Sequence, residues 1–239
     1  PVNLDLAAMR RVVEREGGCV VWGGNVRLSP ADDILIGVER ALDVDSEVQL
    51  VASILSKKLA AGATHVLLDL PVGATAKVRS PAEAVRLSAH LVAVAAEFHL
   101  SVTPVLTDGT QPVGSGIGPA LEAHDVLAVL RRAPDAPADL RERAIDLSGR
   151  ILDLAGGPPG RGRAQASAIL DDGRALDKFM AICEAQGGFS EPSTAPLRYT
   201  ISAPRSARVA AFDNRMLARI AKLAGAPRSK SAGISLHVK

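Results

Sequence analysis

Three side chains with hydrogen-bonding capacity to spare fall in one short stretch, Arg40, Ser53 and Lys57, and the carboxyl group of Asp45 lies among them. Ser53 and Lys57 are one helical turn apart, so on a helix their β-carbons leave the same face about 5–6 Å from each other. A planar ligand edge carrying carbonyl oxygens and a ring N–H can meet both. Arg40 and Lys57 supply charged donors, and a serine hydroxyl serves as either partner. A fixed cation at such an edge stabilises negative charge that builds on a departing group more than it stabilises the intact ligand. Asp45 can deliver a proton near neutral pH only if burial or a neighbouring anion raises its pKa. The plainer reading of the same residues is structural: Asp45 precedes or caps a helix, Ser53 is a small packing residue, and Lys57 and Lys58 close the helix where its dipole favours cations.

The elements that must position these residues alternate between helix and strand patterns through the first two thirds of the chain. That is the signature of strands joined by crossover helices in a parallel sheet. Leu4 to Arg15 has helical spacing with Asp5 near its start and is stopped by Gly17 and Gly18. Cys19 to Trp22 and Ile34 to Val38 read as short strands. Ser46 reads as the cap of a helix from Glu47 to Ala61, the one that carries Ser53 and Lys57. The continuous apolar run His65 to Leu70 reads as a central strand covered on both faces. Pro81 to His99 reads as a helix with Ser80 as its cap and Glu83 in the capping-box position, and Ser101 to Leu106 as another buried strand. Further helices are expected from Ala120, over Leu140 to Leu154 and over Ile169 to Gln186, with a loop at Gly156 to Gly162. From Tyr199 the texture changes to strands at Tyr199 to Ser202, Ala207 to Phe212 and Gly233 to Val238, with a helix at Asn214 to Leu223. The expected fold class is α/β, part of a large mixed or parallel sheet domain with crossover helices plus a small carboxyl-terminal α+β domain. The expected division is a partial α/β domain over 1–189, a Pro/Ser-rich linker over 190–198 and a truncated α+β domain over 199–239.

Composition narrows the partners. At 239 residues and 47% hydrophobic side chains the chain is long enough for a sizeable core. Its 28 Lys and Arg nearly balance 26 Asp and Glu, which leaves no global field for gathering nucleic acid or anionic membrane. The basic stretch after Tyr199 has one Tyr and one Phe, so platforms for stacking bases are nearly absent. Cys19 and Cys183 show neither disulfide nor zinc spacing, which fits a reducing cytoplasm. No apolar run reaches the ~20 residues of a spanning helix, and the first residues do not form a signal peptide. His65, His90, His99, His124 and His237 are not paired at metal-ligand spacing, and Gly114, Gly116 and Gly118 do not make the dinucleotide-binding pattern. The chain starts without methionine and stops while a strand pattern is still running, so both ends read as cut.

Three stretches carry a resemblance. They are Ser29-Pro30-Ala31-Asp32-Asp33 through Glu39-Arg40 and Asp45-Ser46 to Ala52-Ser53-Ile54-Leu55-Ser56-Lys57-Lys58; Asp69-Leu70-Pro71-Val72-Gly73; and Leu106-Thr107-Asp108-Gly109-Thr110-Gln111-Pro112-Val113-Gly114. Together the chain resembles the carboxyl-terminal half of the pyrimidine-nucleoside phosphorylase family. The second stretch and Gly116 to Ala123 are worded most like the branch that contains archaeal AMP phosphorylases and bacterial thymidine phosphorylases.

The resemblance implies base binding by Arg40, Ser53 and Lys57, and proton donation to the leaving base by Asp45. It implies a potassium ion held by the carbonyls of Val113 and Gly116 and by Asp125, an acid one carbon shorter than the family's. The implied reaction is phosphorolysis of the N-glycosidic bond of a pyrimidine nucleoside, thymidine first, to free base and sugar 1-phosphate. Phosphate is the co-substrate, and the intact protein is expected to be a homodimer. AMP phosphorolysis is the alternative, and a non-catalytic nucleotide-binding or assembly module the rival of another class. The family's phosphate loop is not found in this sequence. Because intermolecular attack depends on positioning phosphate against the anomeric carbon, the chain alone is expected to be inactive.

Overall fold

A computed structural model describes residues 1–22, 29–32, 34–35, 38, 47–158 and 160–238. In chain order its elements are α1 (Leu6–Glu16), α2 (Glu47–Ala60), β1 (His65–Val72), α3 (Pro81–Glu97), β2 (Ser101–Asp108), β3 (Gly116–Ile117), α4 (Pro119–Leu130), α5 (Ala138–Leu154), α6 (Gly162–Asp171), α7 (Arg174–Ala185), α8 (Asn214–Leu223) and β4 (Ile234–Ser235). The chain is α/β: β1 and β2 form a small parallel sheet linked by the crossover helix α3, and β3 pairs with β4 antiparallel. It folds as two compact units that interleave along the sequence, one of Pro1–Leu70, Pro81–Val105 and Asp177–Phe189, the other of Pro71–Ser80, Leu106–Leu176 and Ser190–Lys239.

In the first unit, α1 starts where Asp5 accepts the Ala8 N–H at 2.7 Å and ends at Gly17, whose φ of 77° is a left-handed cap open to glycine at little strain. The helix α2 buries Val51 and Leu55, and α3 buries Ala84, Leu87, Leu91 and Ala95, all at helical spacing. These two helices pack together, with Glu47 of α2 reaching Arg86 Nε at 3.1 Å and His90 Nδ1 at 2.7 Å on α3. Along β1, Val66, Leu68 and Leu70 are buried while Leu67 and Asp69 are half-buried, so the strand alternates and only one face is fully covered.

The second unit holds a helical layer. Val129 of α4, Ile145 of α5 and Ala166 and Leu170 of α6 form its core, bordered by an apolar cavity of about 390 Å³. Helices α5 and α6 meet at backbone contact: a β-carbon on Gly149 would stand 2.6 Å from Arg163 Cα. In the same unit α8 lies against β3 and β4, and its Asp213 cap accepts the Met216 N–H at 2.9 Å.

Five expected elements come out differently. Ile34, Leu35 and Val38 are helical, as are residues 30–32, so the described residues of the Ile34 to Val38 run form no strand. Pro30 behind Ser29 starts a helix well because it lacks the N–H that the first turn leaves unpaired, whereas a short apolar run cannot by itself separate strand from helix. Cys19 to Trp22 forms no strand either, because Val20 pairs with the side chain of Gln186, at 2.7 and 2.8 Å, rather than with another strand. The helix expected over Ile169 to Gln186 is two helices, broken at Gly173 with φ of 93°. The strands expected at Tyr199 to Ser202 and Ala207 to Phe212 do not form among the described residues, and Leu197, Tyr199 and Ile201 stand exposed there.

Candidate functional site

The helix α2 brings Ser53 and Lys57 together as their spacing requires: Lys57 Nζ donates to Ser53 Oγ at 3.4 Å, and both side chains are half-buried. Neither is idle. Ser53 Oγ donates to Asp32 Oδ2 at 3.0 Å, and Lys57 Nζ pairs with the same oxygen at 2.6 Å. Asp32 is 4% exposed, while the Lys57 side chain keeps 35% of its surface open. One turn before Ser53, Gln49 Nε2 donates to Asp32 Oδ1 at 3.4 Å, and one turn after it Ser56 Oγ lies 3.2 Å from Ser29 Oγ. A buried carboxylate is tolerated only with such partners. The Lys57 side chain thus stays partly open beside half-buried Ser53 on one helix face, and Asp32 anchors both. Arg40, Asp45 and the expected cap Ser46 lie outside the described residues.

In the second unit the structure brings Gly116 and Asp125 together. Asp125 Oδ2 accepts the backbone N–H of Ser115 at 2.6 Å and of Gly116 at 2.7 Å. Leu236 N donates to Ser115 O at 2.8 Å, so Ser115 turns its carbonyl to Leu236 while its N–H goes to Asp125. The Gly116 N–H likewise faces Asp125. A carboxylate is a hard oxygen donor of the kind an alkali cation accepts, although Oδ2 already serves two amides. The loop is pinned further by Glu122 on the Gly118 N–H at 2.9 Å and by Asp139 on the Gly114 N–H at 3.2 Å. Gly114 admits no side chain, since a β-carbon would fall 2.6 Å from Asp125 Oδ2. Among the described residues no group of three or more His, Cys, Asp or Glu could hold a metal ion.

Sequence reasoning gave Asp32 no role, and it also missed a polar cavity of the second unit. This space, about 390 Å³, opens beside Pro71 at the end of β1 and Asp108 at the end of β2, with Lys77, Gln111, Arg143 and Asn214 on its walls. The ends of parallel strands are where open α/β sheets receive ligands. Arg143 Nη2 donates to the Asp108 carbonyl at 2.6 Å, and Asn214 Nδ2 to the Gly109 carbonyl at 2.9 Å. Two hydrogen bonds from Thr110, one from its hydroxyl and one from its N–H, hold the Asp108 carboxyl below the usual carboxylate range, and nearby Arg143 adds to this against the opposing effect of burial. The available signal was the pair Gly73 and Gly109 just past two strands. A β-carbon on Gly73 would stand 2.5 Å from the Gly109 carbonyl oxygen, so the two turns touch backbone to backbone.

Fold and geometry define an α/β chain that presents a serine and a lysine together on one helix face. No protein-family model matches the chain. It is 63% identical to "Putative thymidine phosphorylase 1" of Acidovorax sp. (strain JS42), over 240 aligned positions covering all of this chain and 47% of that protein. It is 59% identical to each protein named "Putative thymidine phosphorylase" from Hahella chejuensis and Sphingopyxis alaskensis, again over its full length and over 48% and 46% of theirs. The chain spans about half the length of these curated relatives. It is their homologue throughout the part it matches. No helix among the described residues is long and apolar enough to cross a membrane.

Proposed function

We propose that the chain carries the base-binding part of a pyrimidine-nucleoside phosphorylase acting on thymidine. The observation behind this is the paired presentation of Ser53 and Lys57 on α2, half-buried and anchored by Asp32. Lys57 and Arg40 donate to the base carbonyls and Ser53 meets the ring N–H. In the reaction a phosphate oxygen bonds to the anomeric carbon while the C–N bond breaks. The bonding pair leaves with the base, and Asp45 returns a proton to it. A cation fixed at the base edge lowers the barrier because the base is most negative as the bond breaks. Potassium, where bound, braces the loop through Val113, Gly116 and Asp125. The intact protein works as a homodimer, and the chain alone does not catalyse phosphorolysis.

The test is a phosphorolysis panel on the intact protein, with thymidine, uridine and AMP, with and without phosphate. The expected result is phosphate-dependent release of thymine, and a loss of roughly 10²–10³-fold in kcat/KM for Lys57→Ala, the scale of losing one charge-stabilising donor. Preferred turnover of AMP would move the substrate to nucleoside 5′-monophosphates. Absence of base release from all three would overturn the proposal, as would phosphate-dependent turnover that Lys57→Ala leaves unchanged.

A further inference from the structure

We propose that Asp32 is a positioning residue of the base site, taking the Ser53 proton and anchoring the Lys57 ammonium so that a ligand meets one fixed acceptor beside one fixed donor. This rests on the base-binding reading above. The geometry assigns each proton. Ser53 Oγ has one hydrogen and two lone pairs. Its hydrogen points to Asp32 Oδ2 at 3.0 Å, and one lone pair receives Lys57 Nζ at 3.4 Å. What remains toward a ligand is a single lone pair, so Ser53 can only accept. Lys57 has three N–H groups; one goes to Asp32 at 2.6 Å and one to Ser53, leaving one to donate.

An edge with a ring N–H beside a carbonyl, as in thymine and uracil, is complementary to that pair. Without a carboxylate at residue 32 the hydroxyl is free to rotate and offers proton or lone pair alike, and the lysine is free to swing on its four-carbon stem. Asp32 is well placed to fix both because it is 4% exposed and sits under the pair, out of reach of the ligand's solvent-facing side. Gln49 at 3.4 Å steadies the other carboxylate oxygen. Nothing in this arrangement requires Asp32 to touch the substrate.

The experiment measures binding of thymine and 3-methylthymine, and kcat/KM for thymidine with phosphate, in the intact protein and in its Asp32→Asn, Asp32→Glu and Ser53→Ala variants. Asp32→Asn should lose about 10–100-fold in kcat/KM, the worth of hydrogen bonds to a charged group. It should also narrow the preference for thymine over its methylated analogue by about fivefold, one ordinary hydrogen bond. A merely structural role would weaken both ligands alike and leave that ratio unchanged, which overturns the proposal. Asp32→Glu, keeping the charge, should recover part of the loss. In the Ser53→Ala background Asp32→Asn should lose less than in the wild type, and fully additive effects overturn the proposal. Should Asp32→Asn fail to fold, the same cycle run with Asp32→Glu decides it, since a shifted carboxylate still perturbs the Ser53 hydrogen bond. If Lys57→Ala abolishes turnover while Asp32→Asn leaves rate and ligand ratio intact, Asp32 falls and the base-binding reading stands. If the wild type neither turns over nor binds thymine, both fall.

Discussion

Gln186 holds Val20 by both of its backbone groups: Oε1 accepts the Val20 N–H at 2.7 Å and Nε2 donates to the Val20 carbonyl at 2.8 Å. Nε2 also donates to the Pro1 carbonyl at 2.8 Å, and the residue is 8% exposed. A single amide just past α7 thus takes the place of a strand partner at Val20. Gln186→Ala leaves these backbone groups without their partner at a buried place, at about 1–3 kcal/mol per unsatisfied group. The expected outcome is a lower urea midpoint for the 239-residue chain with an unchanged denaturant slope. Gln186→Glu keeps the acceptor and loses the donor, so it should fall at least as far, since a charge then faces two carbonyl oxygens.

Asp108 gives a pH-dependent contribution. Hydrogen bonds from the Thr110 hydroxyl and N–H lower its pKa, with Arg143 adding to them against the effect of burial. A carboxyl whose folded pKa lies below its unfolded value, about 4, stabilises the fold above that value and loses the contribution as pH falls through the folded pKa. Asp108→Asn should therefore be less stable than the wild type at pH 7, and the gap should close below about pH 4. Urea midpoints measured across pH 3–7 check this. A gap that stays constant with pH would assign the difference to packing.

The contact of α5 with α6 makes Gly149 intolerant of any side chain. Its added β-carbon would meet Arg163 N and Cα at 2.6 Å and Gly162 C at 2.9 Å, all backbone that cannot rotate away. Replacing a mid-helix glycine by alanine gains about 0.5–1 kcal/mol in propensity. Forcing the helices apart costs about 1–3 kcal/mol, so the cost wins. Gly149→Ala should lower the thermal midpoint of the chain, and an increase would show that the two helices are free to separate.

The helices were legible where amphipathic spacing agreed with a stop or a cap. Asn214 to Leu223 reads from sequence with the bounds it has in the structure, where Asp213 proves to be its cap. The apolar run from His65 gave β1, two residues short of its end at Val72. What failed was partner choice. Cys19 to Trp22 has the texture of a strand, but Val20 is held by a glutamine side chain far along the chain, which no local pattern can encode. At the site, the spacing of Ser53 and Lys57 announced their shared face, since it depends only on helix geometry. Asp32 was silent because nothing local marks it and the run after it reads as a strand; its role comes from long-range burial beneath α2. Lys77, Arg143 and Asn214 meet around one cavity only because two glycine turns touch, a tertiary event.

Asp125 tests whether the loop after β2 is only clamped or also braced by a cation. Oδ2 already binds the N–H groups of Ser115 and Gly116, so Asp125→Ala orphans two partly buried donors, at about 1–3 kcal/mol each. That loss should appear as a lower thermal midpoint in sodium and potassium chloride alike. If potassium also sits against the Gly116 carbonyl and Asp125, binding to the folded state alone adds stability that grows with the logarithm of its concentration. The wild type should then melt higher in potassium chloride than in sodium chloride of equal strength, a difference that Asp125→Ala should erase. Matching the two salts in ionic strength cancels screening, which does not distinguish the two cations at that level. Equal midpoints for the wild type in the two salts would remove the cation and leave Asp125 as a clamp on two amides.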